Sequence, residues 1–419
     1  MGGEWKTASL GEICDFRAGS VFKPDLQGRT SGEIPFVKVS DINLPANAVR
    51  IQDANNWVSA ADLRELRAKP LPPGTVVFAK IGEALRQNRL RQIARETIID
   101  NNMMGAVPRS GRVEPRFLYY ALSRFDFSDI AQGTALPYLT VGSLTALTLN
   151  VPPLAEQRAI AHILGTLDDK IELNRRGNQT LEAMARALFK DWFVDFGPVR
   201  AKMEAREPYL PADLWQLFPD RLDDEGKPDG WSERPLADFI DIHDSRRVPL
   251  SGKQRAKRQG PYPYHGAAGV MDGVDDFLFD GVHVLLGEDG SVVKADGRPY
   301  TQYVWGKFWV NNHAHVLRGR GITSETLLVF LDQCDVAPFV TGAVQPKLSQ
   351  GNLKAIPFID AGDAVLQRFG EIVDPLFAQI RGTTEESRTL AQLRDTLLPK
   401  LISGELRITD AEQFVEAAQ

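Results

Sequence analysis

His313-Ala314-His315 is the first place where side chains of this 419-residue chain could do chemistry. On a strand, alternation puts both rings on one face, as a metal site would need. No Cys, Asp or Glu stands nearby at metal-ligand spacing, so the pair reads as structural or DNA-facing, and no metal is assigned. The paired acids Asp168-Asp169 and Asp223-Asp224 could share acid–base work. They lie in acidic stretches that read instead as a solvated helix face and a linker. Gly287-Glu288-Asp289-Gly290-Ser291 reads as a tight turn, because no Lys-Ser/Thr follows to cradle a phosphate. No G-x-G-x-x-G opens a helix after a strand, and there is no Walker loop. These residues assign no catalysis to the chain.

Binding chemistry is better represented. Arg86, Arg89 and Arg91 crowd one stretch, and Arg246, Arg247, Lys253, Arg255, Lys257 and Arg258 crowd another. Such groups anchor phosphates by charge, and arginine also reads guanine edges with two hydrogen bonds. Either cluster alone is equally well a solvated surface. Polar loop residues are the candidates for reading bases: Lys38, Lys80, Asn88, Thr134 and Tyr138 in the first half, His265, Ser291, Lys294, Gln345 and Lys347 in the second. Tyr138 and Lys347 each follow a proline at matching places with different chemistry.

Two domains must position these residues. Residues 1–150 look α/β, with buried strands expected in Ile34–Ile42 and Gly74–Ile81 and a helix in Pro115–Phe125. Residues 231–359 repeat the plan: Trp231–Asp241 echoes Trp5–Asp15, Gly281–Leu286 echoes Gly74–Ala79, Asn311-Asn312 echoes Asn101-Asn102, and Gly342–Leu353 echoes Gly133–Leu144. Residues 199–230 read as a surface linker with little regular structure, and 407–419 as a loosely held tail.

Between the domains, Ile160, Leu164, Leu167, Ile171, Leu181, Leu188 and Trp192 recur at spacings of four and three, with Asn174 and Asn178 mid-seam. Phe369, Val373, Leu376, Ile380, Leu390, Leu397 and Leu401 repeat that seam 209 residues later, with Thr383 and Ser387 at its centre and Arg394 as its one charged intruder. The matched registers predict two long helices (151–198 and 360–406) that pair antiparallel as a coiled coil and bring their polar centres together. A kink or break is expected where Gly165-Thr166 matches Asp374-Pro375, with Thr166 and Asp374 as N-caps, and a stop at Gly197-Pro198. The expected architecture is α/β (α+β): two similar α/β domains, two antiparallel helices and a pseudo-twofold repeat.

The net charge of −6 is awkward for a nucleic-acid binder, but its distribution is not. The first domain is +3 and the second neutral, while 151–230 carry −4 and 360–419 carry −5. The domains can therefore present basic faces. Two cysteines fit a reducing cytoplasm, and no apolar run approaches membrane-spanning length.

Pro152-Pro153-Leu154-Ala155-Glu156-Gln157, then Leu167-Asp168-Asp169-Lys170-Ile171-Glu172-Leu173-Asn174 and Ala187-Leu188-Phe189-Lys190-Asp191-Trp192-Phe193, resemble the central region of type I restriction–modification specificity subunits. Leu397 to Leu406 is similar to the family's C-terminal region, and the order of domains and helices fits throughout. The resemblance implies two target recognition domains, each reading half of a split, asymmetric DNA sequence. It also implies two docked methyltransferase subunits, with restriction subunits in the full complex. Chemistry then belongs to the partners, which would hold S-adenosylmethionine, ATP and Mg, while this chain holds no cofactor. The chain lacks the Asn/Asp-Pro-Pro-aromatic motif of the amino-methyltransferases. A self-contained enzyme would methylate or cleave alone; a pure coiled-coil scaffold would show no salt-dependent DNA binding even with partners.

Overall fold

Each α/β domain is tied off by a strand pair from its own two ends. Lys6–Ser9 runs antiparallel to Thr148–Val151, and Ser232–Pro235 runs antiparallel to Pro357–Asp360. The long helices leave just beyond these ties, at Leu154–Phe189 and Asp363–Ser403. This computed structural model describes residues 4–342 and 344–408, so most of the expected tail lies outside the described residues.

The first domain's main sheet runs Cys14–Ala18, Met103–Pro108, Val76–Ala79, Leu90–Ile93, Arg50–Ile51. The second runs Ile240–Ile242, Ala314–Gly319, His283–Gly287, Thr301–Val304, the same order without the last edge strand. Val76–Ala79 and His283–Gly287 are buried along their whole length, which explains their nearly unbroken apolar sequence. A smaller sheet in each domain repeats an unusual detail. Ile34–Val37 pairs parallel with Ile98–Ile99, and Tyr262–His265 pairs parallel with Trp309–Val310. One capped helix covers each main sheet. Glu114 accepts from the Phe117 N–H (2.6 Å) ahead of Pro115–Leu122, and Thr323 from the Thr326 N–H (3.1 Å) ahead of Ser324–Leu331.

The hydrogen bonds refine the repeat by one residue in places. Lys80 N–H donates to Asn102 O, and Glu288 N–H to His313 O. Ala79 therefore matches Gly287 rather than Leu286. Asp100 rather than Asn101 matches Asn311, since each accepts from the N–H two residues on (2.9 and 2.8 Å).

The chain divides into two units, residues up to Asn174 with those from Glu385, and Arg175–Thr384. Each holds one domain, the beginning of one long helix and the end of the other. In the first unit, Asp168 meets Arg394 (2.7 Å), while Asn174 donates to Glu386 (2.6 Å) and Ser387 (3.2 Å). Numbers rise on one helix as they fall on the other, so the segments are antiparallel. Ile160, Leu164, Leu167, Leu397 and Leu401 are buried there, with Ile171 and Leu390 half-buried. In the second unit, Asn178 meets Thr383 (2.6 Å) and Thr384 (3.2 Å), and the Phe189 ring lies 5.7 Å from Phe369. Trp192, Phe369, Val373 and Ile380 are buried, with Leu181, Leu188 and Leu376 half-buried.

Several expectations need correction. The helices are unbroken at Gly165-Thr166 and Asp374-Pro375. Thr166 is no cap, since its hydroxyl bonds back to the His162 carbonyl (2.9 Å). Gly165 instead provides room: a Cβ there would lie 2.5 Å from the Arg116 guanidinium, which donates to the Gly165 carbonyl (2.9 Å). The first helix ends at a π turn, Lys190–Val194, and a left-handed Phe196, and Gly197–Met203 starts a new helix. The stretch after it is not a bare linker, because Leu214, Phe218 and Trp231 are buried in the second unit's core. Nor is Asp168 solvated. It is buried between Arg394 and the Tyr120 hydroxyl (2.6 Å), which accounts for the charge in the second seam.

Candidate nucleic-acid interface

One hairpin frame is built twice. In the first domain, Gln132 and Tyr138 exchange backbone hydrogen bonds (2.9 Å each), Gly82 N–H donates to Pro137 O (2.8 Å) and Leu139 N–H to Lys80 O (2.9 Å). In the second, Thr341 and Lys347 exchange bonds (2.9 and 2.7 Å), Gly290 N–H donates to Pro346 O (3.1 Å) and Leu348 N–H to Glu288 O (3.0 Å). Gly82 and Gly290 both have positive φ (73° and 81°). Gly342 does too (86°), and a Cβ there would lie 2.3 Å from the Gln345 carbonyl. Only glycine fits such positions without strain.

The frame is shared, but its side chains are not. In the first domain it presents Lys80, Leu136 (58% exposed) and Tyr138 (42% exposed). Exposed Thr134 gives its carbonyl to Arg86 (3.4 Å). In the second, Gln345 donates to Asp289 (2.6 Å), Lys347 lies 3.6 Å from Glu288, and His313 lies 3.7 Å from Asp289. Gln345, Asp289 and His313, with exposed Ser291, Val270 and Met271, line an open cleft of about 540 Å³. Both faces combine donors, acceptors and exposed apolar surface, which is the chemistry that reads base edges.

The other candidates divide between free and committed groups. Arg86 and Arg89 are exposed, with Glu83 and Asn43 as their respective neighbours. Lys38 is half-exposed beside Gln27 (3.3 Å). Lys253 and Lys257 are exposed and make no ion pair among the described residues. Arg246 lies over the Phe279 ring (4.7 Å), and Lys294 near Tyr300 (5.8 Å).

Six other candidates are buried or engaged in contacts within their own domain. Arg91 is half-buried, and desolvation pushes its pKa down. Asn88 has positive φ (48°) and donates to the Phe125 carbonyl (2.7 Å), tying its turn to the segment after the covering helix. Arg247 is committed to Glu288 (2.7 Å) and the Ala314 carbonyl (2.6 Å). Arg255 pairs with Asp272 (3.0 Å), and Arg258 pairs with Asp275 (2.8 Å) while lying over Trp309 (5.0 Å). His265 is buried against Gln302 (2.9 Å).

The two histidines do not share a face. His313 sits in the turn, and His315 is buried in the strand, against Asp244 (2.6 Å) and the Leu348 carbonyl (2.8 Å). Asp244, Glu288 and His315 lie close enough to share an ion. Arg247 already supplies positive charge there, and both His315 nitrogens are engaged. Sequence spacing missed this cluster because its acids come from other segments of the domain.

The sequence pattern of the type I restriction modification DNA specificity domain matches residues 2–183 and again residues 228–380. The chain belongs to the type I restriction–modification specificity subunits. The MjaIX specificity subunit of Methanocaldococcus jannaschii is 26% identical, over 97% of this chain and 94% of that one. The HindI specificity subunit of Haemophilus influenzae is 24% identical, over 96% and 100%. The crystal structure of a type I S subunit from M. genitalium shares the fold at 16% identity and TM-score 0.54, covering 95% of this chain and 96% of that one. The two matched stretches each hold one hairpin frame. No described helix is long and apolar enough to cross a membrane.

Proposed function

We propose that the chain is the non-catalytic, DNA-reading part of a type I complex. Each domain reads one half of a bipartite, asymmetric DNA target, and the two long helices dock two methyltransferase subunits. Adenine methylation, and cleavage where restriction subunits join, take place on those partners with their S-adenosylmethionine, ATP and Mg. The observation that supports this reading best is the repeated hairpin frame with exchanged chemistry: Lys80 and Tyr138 stand in one copy where Glu288 and Lys347 stand in the other. Identical scaffolds with different donors and acceptors suit two different half-sites.

Reconstitution with a type I methyltransferase subunit, followed by mapping of methylated adenines, tests the reading. Methylation at a two-part asymmetric sequence is expected, with two methyltransferase subunits bound at saturation. Replacing residues 231–359 by a relative's matching domain should change one half only. Methyl transfer or cleavage by the purified chain alone, or a change in both halves, would overturn it.

A further inference from the structure

Under the two hairpin frames the domains differ at one pair of positions. In the first domain Ala18 faces Met104 across adjacent strands. The ladder of the second domain pairs Ile242 with Leu317 and continues with His243 N–H to Val316 O (2.8 Å), which puts Asp244 and His315 at the same two places. His315 is fully buried, with Nδ1 on Asp244 and Nε2 on the Leu348 carbonyl. Both partners only accept, so the ring satisfies them together only with a proton on each nitrogen.

The groups facing it form a closed set. Asp244 also accepts from Gln350 (2.6 Å) and the Val316 N–H (2.9 Å). Burial pushes the Asp244 carboxyl up, but the hydrogen bonds from His315 and Val316 and the charges of His315 and Arg247 outweigh it and hold its pKa below the ordinary range. Glu288 lies 3.6 Å from His315 and is bonded by Arg247, with Lys347 beyond it. Leu348 directly follows Lys347, so His315 grips the hairpin at its base while Glu288 O holds the same residue's N–H.

In the first domain a buried Met104 stands in place of His315 and an exposed Ala18 in place of Asp244, so the fold itself does not demand charge here. Buried ion pairs are often no more stabilising than apolar substitutes, and their better-attested use is to fix one arrangement. We infer that His315 is a positioning residue for the second half-site: it fixes the hairpin carrying Gln345 and Lys347 against Asp289, and thereby sets which bases the second domain accepts. This rests on the reading of the domain as a half-site reader.

The test is the Asp244→Ala/His315→Met double variant, which installs the first domain's own residues, in the complex reassembled with the methyltransferase subunit. The first half of the methylated sequence should stay unchanged, and discrimination at the second half should fall about tenfold, near the lower end of what one base pair contributes. Leu285→Ala, in the same sheet, should lower stability and leave base preference alone. Unchanged second-half discrimination in the folded double variant overturns the inference, as does equal relaxation by Leu285→Ala. If the double variant does not fold, Asp244→Asn carries the test, with the same relaxation expected and unchanged discrimination overturning it. A wild-type complex that methylates no DNA would sink the half-site reading instead.

Discussion

The two units fill one repeat position in opposite ways. In the first, Asp168 is buried between Arg394 and Tyr120. One repeat away in the second stand Phe377, Ala185 and Val329, all in that unit's apolar core. A buried ion pair costs its desolvation, and the second unit shows that the helix pairing can do without one. The charged version adds directionality, because Asp168 accepts only from a donor on the facing helix and one on the covering helix. The docking pairs are exchanged as well. Arg116 of the first covering helix meets Asp169 (2.7 Å), while the corresponding Glu325 of the second meets Arg381 (2.8 Å). Such exchanges keep each domain matched to its own helix segments.

The largest effect should come from breaking the charged version halfway. Asp168→Ala leaves the Tyr120 hydroxyl without its acceptor and Arg394 with Asp395 (2.8 Å) alone, and should cost about 3 kcal/mol in urea unfolding of the first unit. The triple variant Asp168→Phe/Arg394→Ala/Tyr120→Val, which copies the second unit, should recover to within about 1 kcal/mol of wild type, as apolar replacements of buried ion pairs often do. If the triple variant is as unstable as the single one, the two solutions are not interchangeable.

That pair also shows how far the sequence could be read. Arg394 stood out as a charge in an apolar seam, but its partner lies 226 residues away and carries no local mark. The repeat, the long helices and the covering helices were legible, because apolar spacing is a local signal, whereas the expected caps at Thr166 and Asp374 were not there. Register was legible only to within a residue, since loop lengths differ between the copies. The candidate site was read less well. Arg247, Arg255 and Arg258 looked like free cations because their acids come from neighbouring strands and turns. The hairpin residues Tyr138, Gln345 and Lys347 could be singled out as candidates because a shared Gly and Pro frame made their differences visible.

A smaller effect separates free from committed cations in the second domain. Lys253→Ala/Lys257→Ala should lower the salt dependence of DNA binding by the assembled complex by at most about 2 logarithmic units of slope, at about 0.9 per phosphate contact. Stability should not change. Arg255→Ala should do the reverse, costing about 1–2 kcal/mol through its bonds to Asp272 and the Leu250 carbonyl. Equal salt slopes for wild type and the lysine pair would mean that this loop does not touch phosphates.

The smallest predicted effect lies where Gly165 in one unit matches Asp374 in the other. Gly165 makes room for Arg116, whereas Asp374 is half-buried with one carboxylate oxygen unpaired. Burial pushes its pKa up and Glu325 adds to this, against the opposing pull of the Thr323 hydroxyl and Arg381. A raised pKa means that the folded state holds this proton more tightly than the unfolded chain. Stability is therefore lost as pH rises from the ordinary aspartate value through the raised one. Asp374→Asn removes the charge and keeps the shape, so it should raise stability at neutral pH. The gain should shrink on acidification and vanish only well below the ordinary aspartate pKa of about 3.9, where wild-type Asp374 is protonated in both states. Urea titrations of both proteins across this range would show it. A gain that does not depend on pH would place its origin in packing, and a loss at neutral pH would mean that the Asp374 charge supports the second helix.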